Sequence, residues 1–516
     1  MNKALVVILF LVLWSLPGKG HAGDRSPESL RELIVLGLET NLGLKIEQAY
    51  IPRAEAAIVI EKAAFDSEFF SAIEFGRLAT PYESSSGFSG TSDFEQLSGR
   101  AGFQKRFMTG LSGSLSVATD SSSDNDLSND LDPRYQTSLL LEINQPLLRN
   151  LGSAVNSTDL ETVKVRKRQA VLAYLQRAQR LILELEISIR QLVGLEKVIR
   201  LREQALSLAD ELYAANSKRY RAGLIPVTEI QEAETAQASR QLQLSVARQN
   251  HELQLQELNR QLDYKLSDRF VPTALDDGVI TTDEFVLPDF EGLYDSAKNR
   301  RLDLKILAAT LQEGALRTGY LRNQLLPTLD LTLQAGINGL AGNDRGGFPG
   351  SRYPGNWFDS VGSMTSSDGY QWGAGLLFTM PLGNRAARAR LQQAEMQIKQ
   401  DRLQQMDLES AVKKELLQQR VVLERSLEQL RLAERFESLA QQSLAQEQRK
   451  LEEGLSDTFR MISFQEKMIA AKIDRLNAWV QYQIAMTQMD YLSGDIFERH
   501  GIVLANDSEE LNLENI

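Results

Sequence analysis

Between Leu175 and Leu192 the apolar residues fall three and four apart: Leu175, Ala178, Ile182, Leu185, Ile189 and Leu192. That spacing lays one seam along an α-helix, as a coiled coil requires. Leu181, Leu195, Val198 and Leu201 fall off the seam, which predicts neighbours on more than one side. The helical stretches are long. No proline falls between Pro146 and Pro226, and none follows Pro381. Proline disrupts helix interiors, and Leu, Gln, Glu, Arg and Ala dominate these gaps, all good helix formers. The pattern predicts one helix over about 154–221, about 100 Å long at 1.5 Å per residue, and a second over about 385–452. Each ends at a glycine and resumes, in "RYRAGLIPVTEIQEAE" (219–234) and "QRKLEEGLSDTFRMISFQE" (448–466). Gly223 and Gly454 suit the left-handed position that closes a helix. Two antiparallel helical hairpins follow.

Elsewhere the period is two. Leu111, Gly113, Leu115 and Val117 alternate with Ser112, Ser114, Ser116 and Ala118. Leu329, Leu331, Leu333, Ala335 and Ile337 alternate with Asp330, Thr332, Gln334, Gly336 and Asn338, and Tyr370, Trp372, Ala374, Leu376 and Phe378 form a third such row. One apolar face and one small or polar face is the strand signature. It fits a soluble sandwich, and equally a membrane barrel with lipid outside and water inside. Ten-residue segments joined by long polar loops (79–96, 118–134 and 339–369) favour the barrel. Tyr135, Tyr370 and Trp372 at strand starts suit a membrane interface.

Composition narrows the classes. The chain has 516 residues, a net charge of -12 and no cysteine. Disulfides, thiolate metal sites and cysteine nucleophiles are excluded. A basic start and a largely apolar run from Ala4 to Leu16 precede Pro17, and Gly20-His21-Ala22 supplies small residues for cleavage. Residues 1–22 therefore read as a secretory signal peptide. Only His251 and His500 remain after it, so a histidine metal site or haem is not expected. The acidic balance argues against a nucleic-acid partner. Acids around Asp124–Asp132 suit a polar loop better than a calcium site, "KVRKRQ" (164–169) reads as a solvated helix face, and 506–516 reads as an acidic tail.

The chain repeats itself. "NLGLKIEQA" from residue 41 lies on "RLDLKILAA" from residue 301, an offset of 260. "NQPLL" at Pro146 meets "TMPLG" at Pro381, 235 apart, and Gly223 meets Gly454, 231 apart. The order in both halves is helix, strands, proline, long helix, glycine, returning helix, so an internal duplication is expected. The falling offset assigns the first half an extra strand hairpin, turning near "KRFMTGLSG" (105–113). Strands are expected near 67–77, 97–107, 110–119 and 135–145, then 327–338 and 370–380. The boundaries that follow are signal 1–22, repeat one 23–265, linker 266–289, repeat two 290–495 and tail 496–516.

These paired phrases, the two proline junctions and the paired turns "YRAGL" and "LEEGL" together resemble the TolC family of outer-membrane efflux proteins, the outer membrane factors, over roughly 28–495. The resemblance implies an α+β membrane protein: a trimeric outer-membrane β-barrel continuous with a long periplasmic α-helical, coiled-coil barrel. Four core strands per protomer would make a twelve-stranded barrel, with the place of the extra hairpin left open. It implies a passive duct and no enzyme, cofactor or metal. Its partners would be two further copies, a periplasmic adaptor (membrane fusion) protein, an inner-membrane pump and outer-membrane lipid. Gly223, Leu224, Gly454 and Leu455 would be the adaptor-docking periplasmic tips, or else plain helix caps. Glu229, Glu232, Asp457 and Arg460 are the gate candidates, or else solvated helix N-termini. The family's acidic positions beyond the second glycine hold Arg460 and Ser463 here, a departure that weakens a cation-selecting constriction. The rival readings are a periplasmic coiled-coil adaptor or scaffold without a pore, and a carboxylate-based secreted hydrolase. The first leaves the duplicated strands unexplained. The second needs acids gathered in a pocket, and they are scattered along helices.

Overall fold

The computed structural model describes residues 29–83, 89–125, 130–267, 270, 289–346, 351–366 and 369–502. The expected signal peptide, most of the linker and the acidic end of the tail lie outside the described residues. In chain order, α1 (Leu30–Thr40) and α2 (Leu42–Ala63) precede β1 (Ser67–Glu83), β2 (Ser89–Arg106), β3 (Ser112–Asp124) and β4 (Leu131–Pro146). Then come α3 (Ser153–Asn156), α4 (Thr158–Arg221) and α5 (Val227–Leu262). The second half holds α6 (Phe290–Arg300), α7 (Leu302–Asn323), β5 (Thr328–Asp344), α8 (Trp357–Ser363), β6 (Tyr370–Thr379), α9 (Arg385–Glu452), α10 (Thr458–Ser493) and α11 (Ile496–Arg499). The chain divides into two compact units, one of residues 1–51, 170–308 and 403–516, the other of residues 52–169 and 309–402.

The first unit is helical. Its core is the seam read from the sequence: Leu175, Ala178, Ile182, Leu185, Ile189 and Leu192 are all buried, against Leu33 and Ile34 of α1 and Leu258 and Leu262 of α5. The off-seam Leu195, Val198 and Leu201 are half-buried. A second seam on α9, Val412, Leu416, Leu423, Leu427 and Leu430, packs on Tyr482, Ala485 and Met489 of α10. The buried Gln419 sits in that seam, and its amide donates to the Ala485 carbonyl at 2.8 Å. Helical packing continues past the expected tail boundary at 495, for Ile496 and Phe497 of α11 are buried in the first core.

That unit also encloses a carboxylate. Glu186 is fully buried. It accepts from Arg190, from the Thr487 hydroxyl at 2.9 Å and, at 3.1 Å, meets Nε2 of His500, with Arg499 at 3.7 Å. Burial pushes its pKa up, but the His500 hydrogen bond and the charges of Arg190 and Arg499 outweigh that and hold it at about 2.

The second unit holds one antiparallel sheet in the order β1-β2-β3-β4-β5-β6. All six strands read from the sequence are present, most of them longer than expected. The extra hairpin belongs to the same sheet as the other strands. β2 and β3 turn at Phe107–Leu111 and pair with β1 and β4 along their lengths. The resemblance led to four core strands; this sheet has six. Direct cross-strand partners share a face. One row across the sheet is Phe69, Phe103, Leu115, Leu141, Ala335 and Trp372, and the next is Ser71, Ala101, Val117, Leu139, Ile337 and Tyr370. This face is apolar and open: Phe69, Phe103 and Trp372 are 63%, 60% and 75% exposed. The opposite face carries the row Glu68, Gln104, Ser114, Glu142, Gln334 and Gly373, which lines a hollow of about 750 Å³. There Gln104 donates to Glu68 at 2.7 Å, and Arg100 pairs with Glu142 at 3.2 Å.

The polar stretch 339–369, expected as loop, contains α8. Asn356 and Asp359 form a capping box at its start. It lies on the apolar face where that face turns polar. The Trp357 indole N–H donates to the Thr119 hydroxyl at 2.6 Å, and the Thr137 and Ser360 hydroxyls meet at 2.8 Å. Gly339 permits the approach, since a Cβ there would lie 1.9 Å from the Ser360 carbonyl oxygen. α8 thus covers two strand hydroxyls and leaves Phe358 and Val361 exposed in their place.

Candidate functional site: the paired helical tips

The chain leaves α4 at Arg221 and re-enters helix at Val227. Gly223 takes φ 73°, a left-handed value. Its N–H donates to the Tyr220 carbonyl at 2.8 Å, and the Leu224 N–H donates to the Arg219 carbonyl at 2.9 Å. The second tip repeats this closure. Gly454 also takes φ 73°, its N–H donates to Leu451 at 3.2 Å, and the Leu455 N–H donates to Lys450 at 2.8 Å. Both are Schellman motifs, in which the residue after the glycine usually packs on an apolar residue of the last turn. Here the last turns hold Lys218 and Arg219, and Arg449 and Lys450. These cations suit the negative helix end but give the leucines no apolar seat. Leu224 and Leu455 are 74% and 69% exposed.

The helices that follow begin differently. Asp457 caps α10, its carboxylate accepting from the Arg460 N–H at 2.7 Å. Pro226 stands at the same place before α5, without a side-chain cap. Glu229 does not stand free. It accepts from the Thr458 hydroxyl at 2.8 Å. The Asn216 amide in turn donates to the Thr458 oxygen at 2.9 Å and to the Glu229 carbonyl at 3.3 Å. Asn216 and Thr458 are both 2% exposed. Three residues from α4, α5 and α10 therefore form one clasp between the hairpins. Further along, the buried Arg240 of α5 reaches Glu466 of α10 at 3.3 Å. On the second tip Ser456 donates to Glu447, and that hydrogen bond holds the Glu447 carboxyl below its usual range.

Of the candidates read from the sequence, the two glycines and two leucines occupy matched tips. Glu229 belongs to the clasp, Asp457 is a helix cap, Glu232 is half-buried and Arg460 is exposed. Asn216, Thr458, Glu447 and Ser456 were not singled out. Thr458 follows a capping Asp, a weak signal, and Asn216 inside a long helix gave none. The acids at Asp124 and Asp132 are both engaged by Arg345, while residues 126–129 lie outside the described residues. Among the described residues no group of three or more His, Asp or Glu side chains converges for a metal ion.

Residues 293–495 match the family model described as outer membrane efflux protein. Over that stretch the chain is similar to that family. No curated protein matches it. Among solved structures, the outer-membrane channel OprN shares 15% identity at a TM-score of 0.63, over 90% of each chain. The Campylobacter jejuni CmeC outer membrane channel shares 15% at 0.60, over 90% of this chain and 86% of its own. CusC shares 13% at 0.62, over 94% of this chain and 95% of its own. At such identities the likeness is one of fold. The outer membrane efflux protein match includes the second tip with Glu447, Ser456 and Thr458, while the first tip lies before it.

Proposed function

We propose that this chain is the outer-membrane channel of a tripartite efflux or type I secretion system. Three copies share one β-barrel in the outer membrane and one helical tunnel in the periplasm. They conduct substrate passively from an inner-membrane pump and a periplasmic adaptor. The observation that carries this reading is the two-faced sheet. Its apolar face is bounded by Ser67 and Lys105 at the helix end and by the Arg77–Glu95 pair at the other. Ten residues of strand at a tilt of about 40° rise about 25 Å, the height of an outer-membrane barrel's apolar band. The polar row on the other face suits a water-filled lumen. The recurrence of helices, strands and a long helical hairpin in both halves supports a duplicated unit.

At the tips, Leu224 and Leu455 are the apolar anchors an adaptor would take, rimmed by basic side chains. The Asn216–Thr458–Glu229 clasp holds the two hairpins of one protomer together and serves the closed state of the periplasmic end. A pore-free periplasmic adaptor or scaffold has no use for an open apolar sheet face. The test is to express the full chain with its signal, fractionate membranes and record in planar bilayers. The chain is expected in the outer membrane and to form discrete ion channels. A periplasmic protein without conductance would overturn the reading.

A further inference from the structure

Within the sheet β2, β3, β4 and β5 are each paired on both sides, and β1 and β6 are its two edges. In hydrocarbon an open edge leaves backbone groups without partners, so a spanning sheet must close. Closing four strands per copy would require breaking existing ladders. Leaving the β2–β3 hairpin out of the wall would open the β1–β2 ladder, from Ser67–Lys105 to Glu83–Ser89, and the β3–β4 ladder, from Ser112–Asn144 to Ser122–Arg134. Closure through the edges breaks nothing. Every neighbouring pair is antiparallel and the strand number is even, so β1 and β6 run in opposite directions. A β6 edge laid on the β1 edge of the next copy is then antiparallel too. The faces also match. The apolar row ends in Phe69 on β1 and in Trp372 on β6, both exposed. β6 is the shortest strand, with ten residues, and a tilted strand of about 9–11 residues spans a bilayer.

We propose that the chain closes its barrel edge to edge, β6 of each copy on β1 of the next, with all six strands in the wall. This rests on the channel reading above. Three copies then make eighteen strands rather than twelve. Barrel diameter grows nearly linearly with strand number. At a strand spacing of about 4.8 Å and a tilt of about 40°, twelve strands give about 24 Å between opposite backbones and eighteen give about 36 Å. The membrane section is therefore half again as wide as a four-strand protomer would make it.

The absence of cysteine makes the edges directly testable. Phe69→Cys, Ser71→Cys, Ile73→Cys and Phe75→Cys on β1 are each combined with Ala374→Cys on β6, all on the apolar face. Within one chain these strands are five spacings apart, about 24 Å, far beyond the ~7 Å limit between the Cα atoms of a disulfide. Any disulfide must therefore join two copies. Oxidation in intact outer membranes is expected to give, for at least one pair, a covalent ladder that ends at three chains. A ladder ending at two chains contradicts eighteen strands. So does the lack of any disulfide in variants that still assemble as trimers, and that result leaves the channel reading standing. Should the variants not assemble, imaging of the unmodified protein in nanodiscs decides: eighteen wall strands support the proposal and twelve overturn it. An unmodified protein that forms no membrane trimer overturns the channel reading itself, and this proposal with it.

Discussion

Thr458 holds the first hairpin to the second with a single hydroxyl. Thr458→Val keeps its shape and removes that oxygen, so the Asn216 amide retains only the Glu229 carbonyl and the Glu229 carboxylate loses its hydroxyl donor. An unmatched buried polar group costs about 1–3 kcal/mol. Thermal unfolding should show a lowered midpoint, and bilayer recordings a higher open probability; an unchanged gate would remove the clasp from the closed state. Glu229→Gln retains an acceptor and should do less. Gly223→Ala and Gly454→Ala isolate a second residue-scale effect. A Cβ at either site meets nothing within 4 Å, so only the left-handed backbone resists, at about 1–2 kcal/mol each. Circular dichroism melts of both variants check this, and Asn at either site should cost less. The glycines were legible because a left-handed cap between two proline-free stretches has few other occupants. The clasp was not, because Asn216 and Thr458 meet only once two hairpins from distant sequence pack side by side.

At the scale of elements, α11 is fastened by charge. Glu186 titrates at about 2 in the fold and near 4.5 in its ordinary state. The native state is therefore favoured fully above pH 4.5, and that gain fades as the pH falls towards 2. A shift of this size is worth about 3 kcal/mol. Arg190→Ala removes a buried partner, and such losses cost about 3–5 kcal/mol. Melts recorded as a function of pH should show a lower midpoint for the variant at neutral pH and less loss on acidification; parallel curves would deny the coupling. For α8, Gly339→Val drives a side chain into the Ser360 carbonyl. Chymotrypsin should then cut at Trp357 or Phe358 faster than in the parent. The long helices were legible to within a few residues, α9 at Arg385–Glu452 above all, since uninterrupted period and absent proline leave no other solution. α8 was hidden because seven residues show no periodicity and its hold is a capping box, one indole and a pair of hydroxyls.

For the whole molecule, the exposed leucines make the sharpest variant. Leu224→Asp with Leu455→Asp should abolish pump-dependent resistance in cells while leaving membrane insertion and bilayer conductance intact. Loss of all three would make the tips structural. The strand count belongs to this scale too. Local alternation revealed three of the strands and the internal repeat placed the others, but whether the extra hairpin stands in the wall depends on pairing between strands, which no single stretch encodes. The most direct test of the channel account is single-particle imaging of the detergent-extracted full chain. The account predicts a three-fold particle with a detergent belt around a β-barrel whose lumen is lined by Glu68, Gln104 and Glu142. A soluble particle without a belt, or a belt without a closed barrel, would contradict it.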